Sequence, residues 1–228
     1  MTYVFSPGAL PAVEVAGSAD RFPVHRIYCV GRNYEAHVRE MGKAPDRDPP
    51  FFFCKPADAI LTNDATIGYP PRTGNLHHEI ELVVAIGAEA RNVSEAEALD
   101  AVYGYAVGND LTRRDLQLAA RDAGRPWDTG KAFDASAPVS AIHRIAEVGH
   151  IQQGRIWLGV NGEIRQDADI ADLIWNVPEI IAELSTLFLL RPGDLIFTGT
   201  PAGVGPIKSG DRVNGGVEGL DELRITVQ

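Results

Sequence analysis

A chain of 228 residues with 45% hydrophobic side chains is long enough for one substantial core, and its length favours a single domain over two. The net charge of -10, with no basic stripe interleaved with aromatics, argues against a nucleic-acid partner and favours solubility. Two cysteines make a disulfide framework or zinc site improbable, no stretch approaches a membrane span, and no basic-then-apolar leader opens the sequence, so the expected location is the cytoplasm.

Residues 1–23, with Pro7, Pro11 and Pro23 among small residues, read as an extended lead-in rather than a core element. Residues 26–30 alternate into a strand. Gly31-Arg32-Asn33 then turns, with Asn33 as N-cap of a helix over 34–41 that Gly42 ends. His37 and Glu40, three apart, share one face of it. Lys43 to Pro50 is charged and proline-rich, a loop by composition, and 51–56 is an apolar strand that carries Lys55. Cys29 and Cys54 each sit in an apolar run, where a free thiol packs as a small hydrophobe.

After a turn at 70–75, residues 76–87 read as one buried strand that nevertheless carries Glu79 and Glu81. Two apart, they point the same way, and two buried like charges call for a cation or a proton between them. A solvent-facing strand edge is the alternative. Ser94 with Glu97 forms a capping box on a short helix, and 102–108 is a strand ending at Asn109-Asp110. A further helix, capped by Thr112 with Asp115, runs to about Asp122; Arg114 and Gln117 share a face of it, as do Gln117 and Arg121. Residues 127–134 form an irregular loop around Lys131. Asn161-Gly162 between alternating runs marks a type I′ hairpin. Residues 177–190 form the best amphipathic helix, its core stripe being Ile180, Ile181, Leu184, Leu187 and Phe188. A strand at 194–198, a glycine-rich loop at 199–205 and two further short strands complete a mainly β, α+β fold.

The glycine-rich loop is not a P-loop, His77-His78-Glu79 is not a zincin motif, and no nucleophile elbow occurs. What remains is acidic. Glu79, Glu81 and Asp110 fall on or at the end of apolar strands, and three carboxylates suit Mg2+, Mn2+ or Ca2+ rather than zinc. Asp110 reads equally as a capping residue. His37 with Glu40 is either a water-activating base with its orienting carboxylate or an exposed helix pair.

Six stretches, in order, resemble the fumarylacetoacetate hydrolase family across residues 24–228. They are Val30-Gly31-Arg32-Asn33-Tyr34 with His37, Glu40 and Met41; Lys55-Pro56; His78-Glu79 with Glu81-Leu82; Gly108-Asn109-Asp110 with Thr112, Arg114-Asp115 and Gln117; Lys131 with Phe133; and Thr198-Gly199-Thr200-Pro201 with Gly203-Val204-Gly205. The resemblance implies a mixed β-sandwich roll with short peripheral helices, a homodimer, and Mg2+ or Mn2+ held by Glu79, Glu81 and Asp110. It also implies a His37–Glu40 dyad on a helix that orders over substrate, Lys131 as a further catalytic group, and substrate contacts from Arg114, Gln117 and Thr200. Read blandly, Lys131 is a surface lysine, Arg114 an ion-pair partner of Asp110 or Asp115, and Thr200 a turn residue. Lys55 carries no assigned role.

The chain looks closer to the compact acylpyruvases, and residues 51–59 and 124–127 look most similar to the fumarylpyruvate-cleaving members of gentisate breakdown. The implied reaction is hydrolytic cleavage of a C–C bond in a 2,4-diketo acid, above all fumarylpyruvate to fumarate and pyruvate in aromatic catabolism. Alternatives are a general acylpyruvase, an oxaloacetate decarboxylase, an isomerase of unsaturated diacids, and a non-catalytic metal-binding protein.

Overall fold

Alternating burial on both faces of one central strand sets the architecture. The computed structural model describes residues 2–6, 8–42, 44–45 and 47–228, so the expectations placed on Pro7 and Lys43 lie outside the described residues. The first part of the chain runs β1 (Ala12–Glu14), β2 (Arg21–Pro23), β3 (Arg26–Gly31), α1 (Glu35–Glu40), β4 (Phe51–Lys55), β5 (Ile60–Leu61) and β6 (Ala65–Ile67). The middle follows with β7 (Leu76–His78), β8 (Ile80–Ile86), α2 (Glu95–Ala98), β9 (Val102–Asn109), β10 (Thr112–Arg113), α3 (Arg114–Asp122), α4 (Asp128–Lys131), β11 (Ala137–Pro138), β12 (His143–Arg144) and α5 (Ile145–Val148). The last third contains β13 (Arg155–Val160), β14 (Glu163–Asp169), α6 (Val177–Leu187), β15 (Asp194–Phe197), β16 (Gly205–Ile207), β17 (Arg212–Val217) and β18 (Leu223–Val227).

A mixed six-stranded sheet, β12-β9-β8-β15-β3-β4, packs against a five-stranded sheet, β14-β13-β17-β18-β6. Along β8, Leu82, Val84 and Ile86 enter the larger core between the sheets with Ile156, Leu158 and Ile225. Val83 and Ala85 enter a second core on the opposite face with Ile27, Cys29 and Phe197. This is the period of two expected of a strand buried on both sides. A three-stranded ribbon, β10-β7-β16, closes one end and gives the expected β-rich α+β roll.

Several local readings change. The lead-in contains an antiparallel pair, β1 with β2, whose Val13 and Phe22 are buried in the second core, and Pro23 closes the pair opposite Ala12. Asn33 is not a helix cap, since α1 starts after Tyr34 without a side-chain cap. The buried Asn33 amide instead ties three loop groups together, donating to the Trp175 and Thr198 carbonyls at 2.9 and 2.8 Å and accepting from the Trp175 N–H at 2.8 Å. Thr112 is in β10 and bonds the Asp110 carbonyl rather than capping α3. The expected strand at 76–87 breaks at Glu79 into β7 and β8. Residues 128–131 are a helical turn rather than an irregular loop, and Cys54 is exposed while Cys29 is buried. The capping box at Ser94 and the type I′ conformation at Asn161 (φ 53°) and Gly162 (φ 87°) are as expected.

Helix α6 is capped by Asn176, which accepts from the Glu179 N–H at 3.0 Å while Glu179 accepts from Asn176 N–H at 2.9 Å. Ile180, Ile181 and Leu184 are buried, whereas Leu187 is 58% and Phe188 40% exposed, because the helix ends and Phe188 turns to extended backbone. The two halves of the stripe therefore differ energetically. Leu184→Ala is expected to lower unfolding free energy by about 2–5 kcal/mol, and Leu187→Ala by no more than ~0.5 kcal/mol, in urea denaturation. Equal losses at the two positions would contradict this packing.

Candidate metal centre and acid–base site

Three carboxylates meet where the six-stranded sheet ends. Glu79 lies at the break between β7 and β8, Glu81 one pleat further on, and Asp110 immediately after β9; one oxygen of each falls within 4.8 Å of the others, and all three residues are buried. The break is built locally. The Asn109 side chain accepts from the Glu79 N–H at 2.9 Å, and the Asp110 N–H donates to the Glu79 carbonyl at 2.8 Å, so β7 leaves the sheet without orphaning its backbone.

Cations from three elements converge on this cluster. The Lys131 Nζ on α4 is 2.7 Å from Glu79 Oε2 and 2.5 Å from Asp110 Oδ2. The Arg114 guanidinium on α3 pairs with Glu79 Oε1 and also donates to Gln117 Oε1 at 3.2 Å. Lys55, at the end of β4, is 2% exposed, with Nζ 2.8 Å from Asp110 Oδ1. That last contact is one of charge. Two of the three Lys55 N–H groups are directed at the Leu111 and Lys131 carbonyls, and Asp110 Oδ1, buried beside the ammonium, accepts no well-directed hydrogen bond.

The carboxylates therefore differ. Burial opposes ionisation of Glu79, yet Lys131 and then Arg114 outweigh it and hold its pKa well below the ordinary value. Glu81 receives one directed donor, the Gly199 N–H at 2.7 Å, and burial followed by the charges of Asp110 and Glu79 drives its pKa well above the usual range. Lys131 is raised, since Asp110 and Glu79 overcome the cost of its burial. An under-neutralised Glu81, an orphaned Asp110 oxygen and an all-oxygen donor set fit a hard divalent cation.

His37 faces the same cavity from α1, 7% exposed, with Nδ1 3.1 Å from Glu40 Oε2. The Gly203 N–H donates to the other Glu40 oxygen at 3.0 Å. Burial disfavours the Glu40 carboxylate, but the His37 ring and the Gly203 amide outweigh it and lower its pKa. With Nδ1 engaged, Nε2 is the ring nitrogen left for the cavity. Arg114, Gln117, Lys131 and Thr200 line that cavity too, whose volume of about 40 Å³ holds a few waters. The structure thus brings all nine sequence-derived site residues into one place.

Four contributors were not assigned from the sequence. Lys55 lay in a recognised dipeptide, and its position at the end of an apolar strand was the available signal. Gln166 on β14 had none: it accepts from His78 at 2.9 Å and donates to Thr200 Oγ1 and the Pro201 carbonyl at 2.8 Å each, all distant in sequence. The Gly199 and Gly203 amides lie in a family-like stretch whose one assigned group was Thr200, and no sequence signal marks a backbone amide.

A buried carboxylate triad at the end of mixed β-sheets, with a histidine–glutamate pair beside the same cavity, is a candidate centre of the metal-dependent hydrolase class. Residues 26–228 match the family model described as fumarylacetoacetate (FAA) hydrolase C-terminal. Fumarylpyruvate hydrolase from a Ralstonia species is 50% identical over 189 residues, 82% of this chain and 98% of that protein. A mitochondrial oxaloacetate tautomerase of Homo sapiens is 43% identical over 202 residues, 89% of this chain and 91% of that protein. The crystal structure of fumarylpyruvate hydrolase from Pseudomonas aeruginosa in complex with Mn2+ and pyruvate superimposes with a TM-score of 0.97 at 51% identity, covering 99% of each chain. The chain belongs to the fumarylacetoacetate hydrolase family, as its six motifs led us to expect. Among the described residues, no helix is long and apolar enough to cross a membrane.

Metal binding to the folded state alone should raise stability. At a hundredfold excess of free Mn2+ over Kd the gain is about 2.7 kcal/mol, which for a chain of this size raises Tm by roughly 5–10 °C in differential scanning fluorimetry. Glu81→Gln keeps an acceptor for Gly199 and removes the least compensated charge, so its metal-free Tm should equal or exceed that of the wild type while the Mn2+-induced rise disappears. A lower metal-free Tm for this variant would count against the account of Glu81.

Proposed function

We propose that the protein is a metal-dependent hydrolase that cleaves the C–C bond of 2,4-diketo acids, with fumarylpyruvate as substrate and fumarate and pyruvate as products. The observation that carries this reading is the cavity that His37, held by Glu40, lines together with the Glu79–Glu81–Asp110 triad and its partners Lys131 and Arg114. The half-identical Ralstonia hydrolase, and the P. aeruginosa hydrolase solved with Mn2+ and pyruvate, support the choice of substrate. A divalent ion held by Glu79, Glu81 and Asp110 supplies Lewis acidity toward the pyruvoyl half of the substrate.

The chain's own groups account for the remaining steps. His37, its Nδ1 held by Glu40, takes a proton through Nε2 from the water that attacks the 4-keto carbon. Lys131 Nζ and the Gln117 amide donate to the oxyanion formed there; Gln117 accepts from Arg114 through Oε1, which leaves Nε2 as its donor. The bond between carbons 3 and 4 then breaks, its electron pair leaving as the enolate of pyruvate, which takes up a proton. The acyl half departs as a carboxylic acid, so one water is consumed per bond cleaved. Thr200 Oγ1 accepts from Gln166, which leaves its hydroxyl proton to donate to substrate. Arg114 already serves Glu79 and Gln117, so it acts at the substrate carboxylate through its charge and by holding both partners in place.

The family likeness also supports a homodimer in the cytoplasm, within gentisate-type aromatic catabolism. A second reading, tautomerisation of oxaloacetate, is favoured by the relatives of 40–44% identity named for that activity. It needs proton transfer next to a carbonyl but no attacking water. His37→Ala should therefore reduce kcat for fumarylpyruvate, followed by loss of its enol absorbance, by about 10²–10⁴-fold while leaving the Mn2+-induced Tm rise intact. Undiminished cleavage by this variant would remove the dyad from the reaction. Absence of cleavage in the wild type, with oxaloacetate tautomerised, would install the second reading.

A further inference from the structure

Beyond the inner cavity, aromatic side chains form a continuous wall that leads away from Lys131. The Lys131 ammonium lies 5.1 Å from the centre of the Phe53 ring, Phe53 lies 5.8 Å from Trp127, and Trp127 meets Phe51 edge-on at 5.3 Å. The Phe51 ring in turn carries the Arg32 guanidinium at 5.3 Å. Arg32, Phe53, Trp127 and Lys131 line both the inner cavity and an adjoining groove of about 630 Å³, so the wall joins the two spaces.

Arg32 is joined in lining the inner cavity by Arg121 from α3, one turn beyond Gln117. The arrangement is costly. Arg32 holds a left-handed backbone at φ 59°, unusual for a residue other than glycine, asparagine or aspartate. Burial, and then the like charge of Arg121, lowers its pKa. Among the described residues no carboxylate lies within ion-pair distance of Arg32, and Arg121 pairs only with its exposed neighbour Asp122 at 2.8 Å. Two guanidiniums that line one space, neither of them paired with the carboxylates of the triad, form a site for an anion supplied from outside.

We propose that Arg32 and Arg121 bind the carboxylate at the far end of a dicarboxylic substrate, and that the Phe53–Trp127 wall packs against the flat conjugated carbons joining that carboxylate to the reacting ketone. The assignment rests on the hydrolase reading given above and deepens it. It makes this pair, rather than the metal centre, the part of the site that separates a fumaryl from an acetyl substituent. The aromatic wall runs from Lys131, which meets the oxyanion at carbon 4, through Phe53, Trp127 and Phe51 to Arg32. A planar alkenyl acid presents π faces to the aromatic wall and one full charge to the arginines, while an acetyl group offers neither.

The test uses Arg121→Gln, a partly exposed helical position, and Arg32→Asn, which keeps a residue tolerant of the left-handed backbone. Two readings are taken on the Mn2+-loaded protein. The first is the ratio of kcat/KM for fumarylpyruvate to that for acetylpyruvate, expected to fall about 10–100-fold in each variant, the usual effect of losing a charged hydrogen bond. The second is binding of fumarate alone by calorimetry, expected to weaken at least ~10-fold by the same reasoning. Ratios within twofold of wild type together with unchanged fumarate binding would overturn the subsite. If the wild type cleaves neither substrate, the hydrolase reading fails, and fumarate binding still decides whether the arginines hold a carboxylate.

Discussion

Three carboxylates held within 4.8 Å of one another and shut away from water are the constraint on which the rest of the structure depends. Such a cluster is tolerable only if cations meet it, and removing one partner from a buried charged network costs about 3–5 kcal/mol. The fold delivers those cations from separate elements: Lys55 from the edge of the six-stranded sheet, Arg114 from α3 and Lys131 from α4. Their distribution is uneven. Glu79 meets two cations and Asp110 two, whereas Glu81 has only a backbone amide, so Glu81 gains most from a divalent ion. The protein is thus neutralised well enough to fold and left short of positive charge at the position where a metal would sit.

The loop over 199–203 connects this centre to the acid–base pair. Its Gly199 amide holds Glu81 and its Gly203 amide holds Glu40, so one short segment sets a metal-ligand candidate and the orienter of His37 relative to each other. Both glycines have positive φ, 102° and 95°, and a side chain on Gly199 would meet Asn33 at 2.7 Å. The five-stranded sheet sends no charged group into the cluster, yet Gln166 from β14 pins Thr200 and Pro201 of the same loop. The second layer therefore fixes the geometry of a site made almost entirely by the first.

Elements with a strong local signal were legible in the sequence. The hairpin at Asn161-Gly162 and the capping box at Ser94 are set within a few residues, and the buried strands announce themselves by composition. The carboxylate triad was legible as well, because charge inside an apolar strand is a conflict that needs a reason. What local pattern concealed were competitions decided from afar. Asn33 and Thr112 have the chemistry of caps, but partners at Trp175, Thr198 and the Asp110 carbonyl claim their side chains. The break at Glu79 depends on the Asn109 amide thirty residues away, and Lys131 reads as a surface lysine until Glu79 and Asp110 close on it.

The relatives named for hydrolysis and for tautomerisation share this fold, and the proposed roles indicate where the two chemistries part. Proton removal beside a carbonyl and stabilisation of an enolate call on the inner half of the site alone. Hydrolysis also needs a water held by a base and donors for a second oxyanion further out, and here His37 Nε2, Gln117 Nε2 and Lys131 lie around one cavity. That outer half is built on the short helices α1, α3 and α4, whereas Glu81 lies on β8 and Glu79 and Asp110 sit at the ends of β8 and β9. Sequence change in the helices can therefore alter which acyl group is accepted, and whether water attacks it, without disturbing the carboxylates that make the sheet end possible.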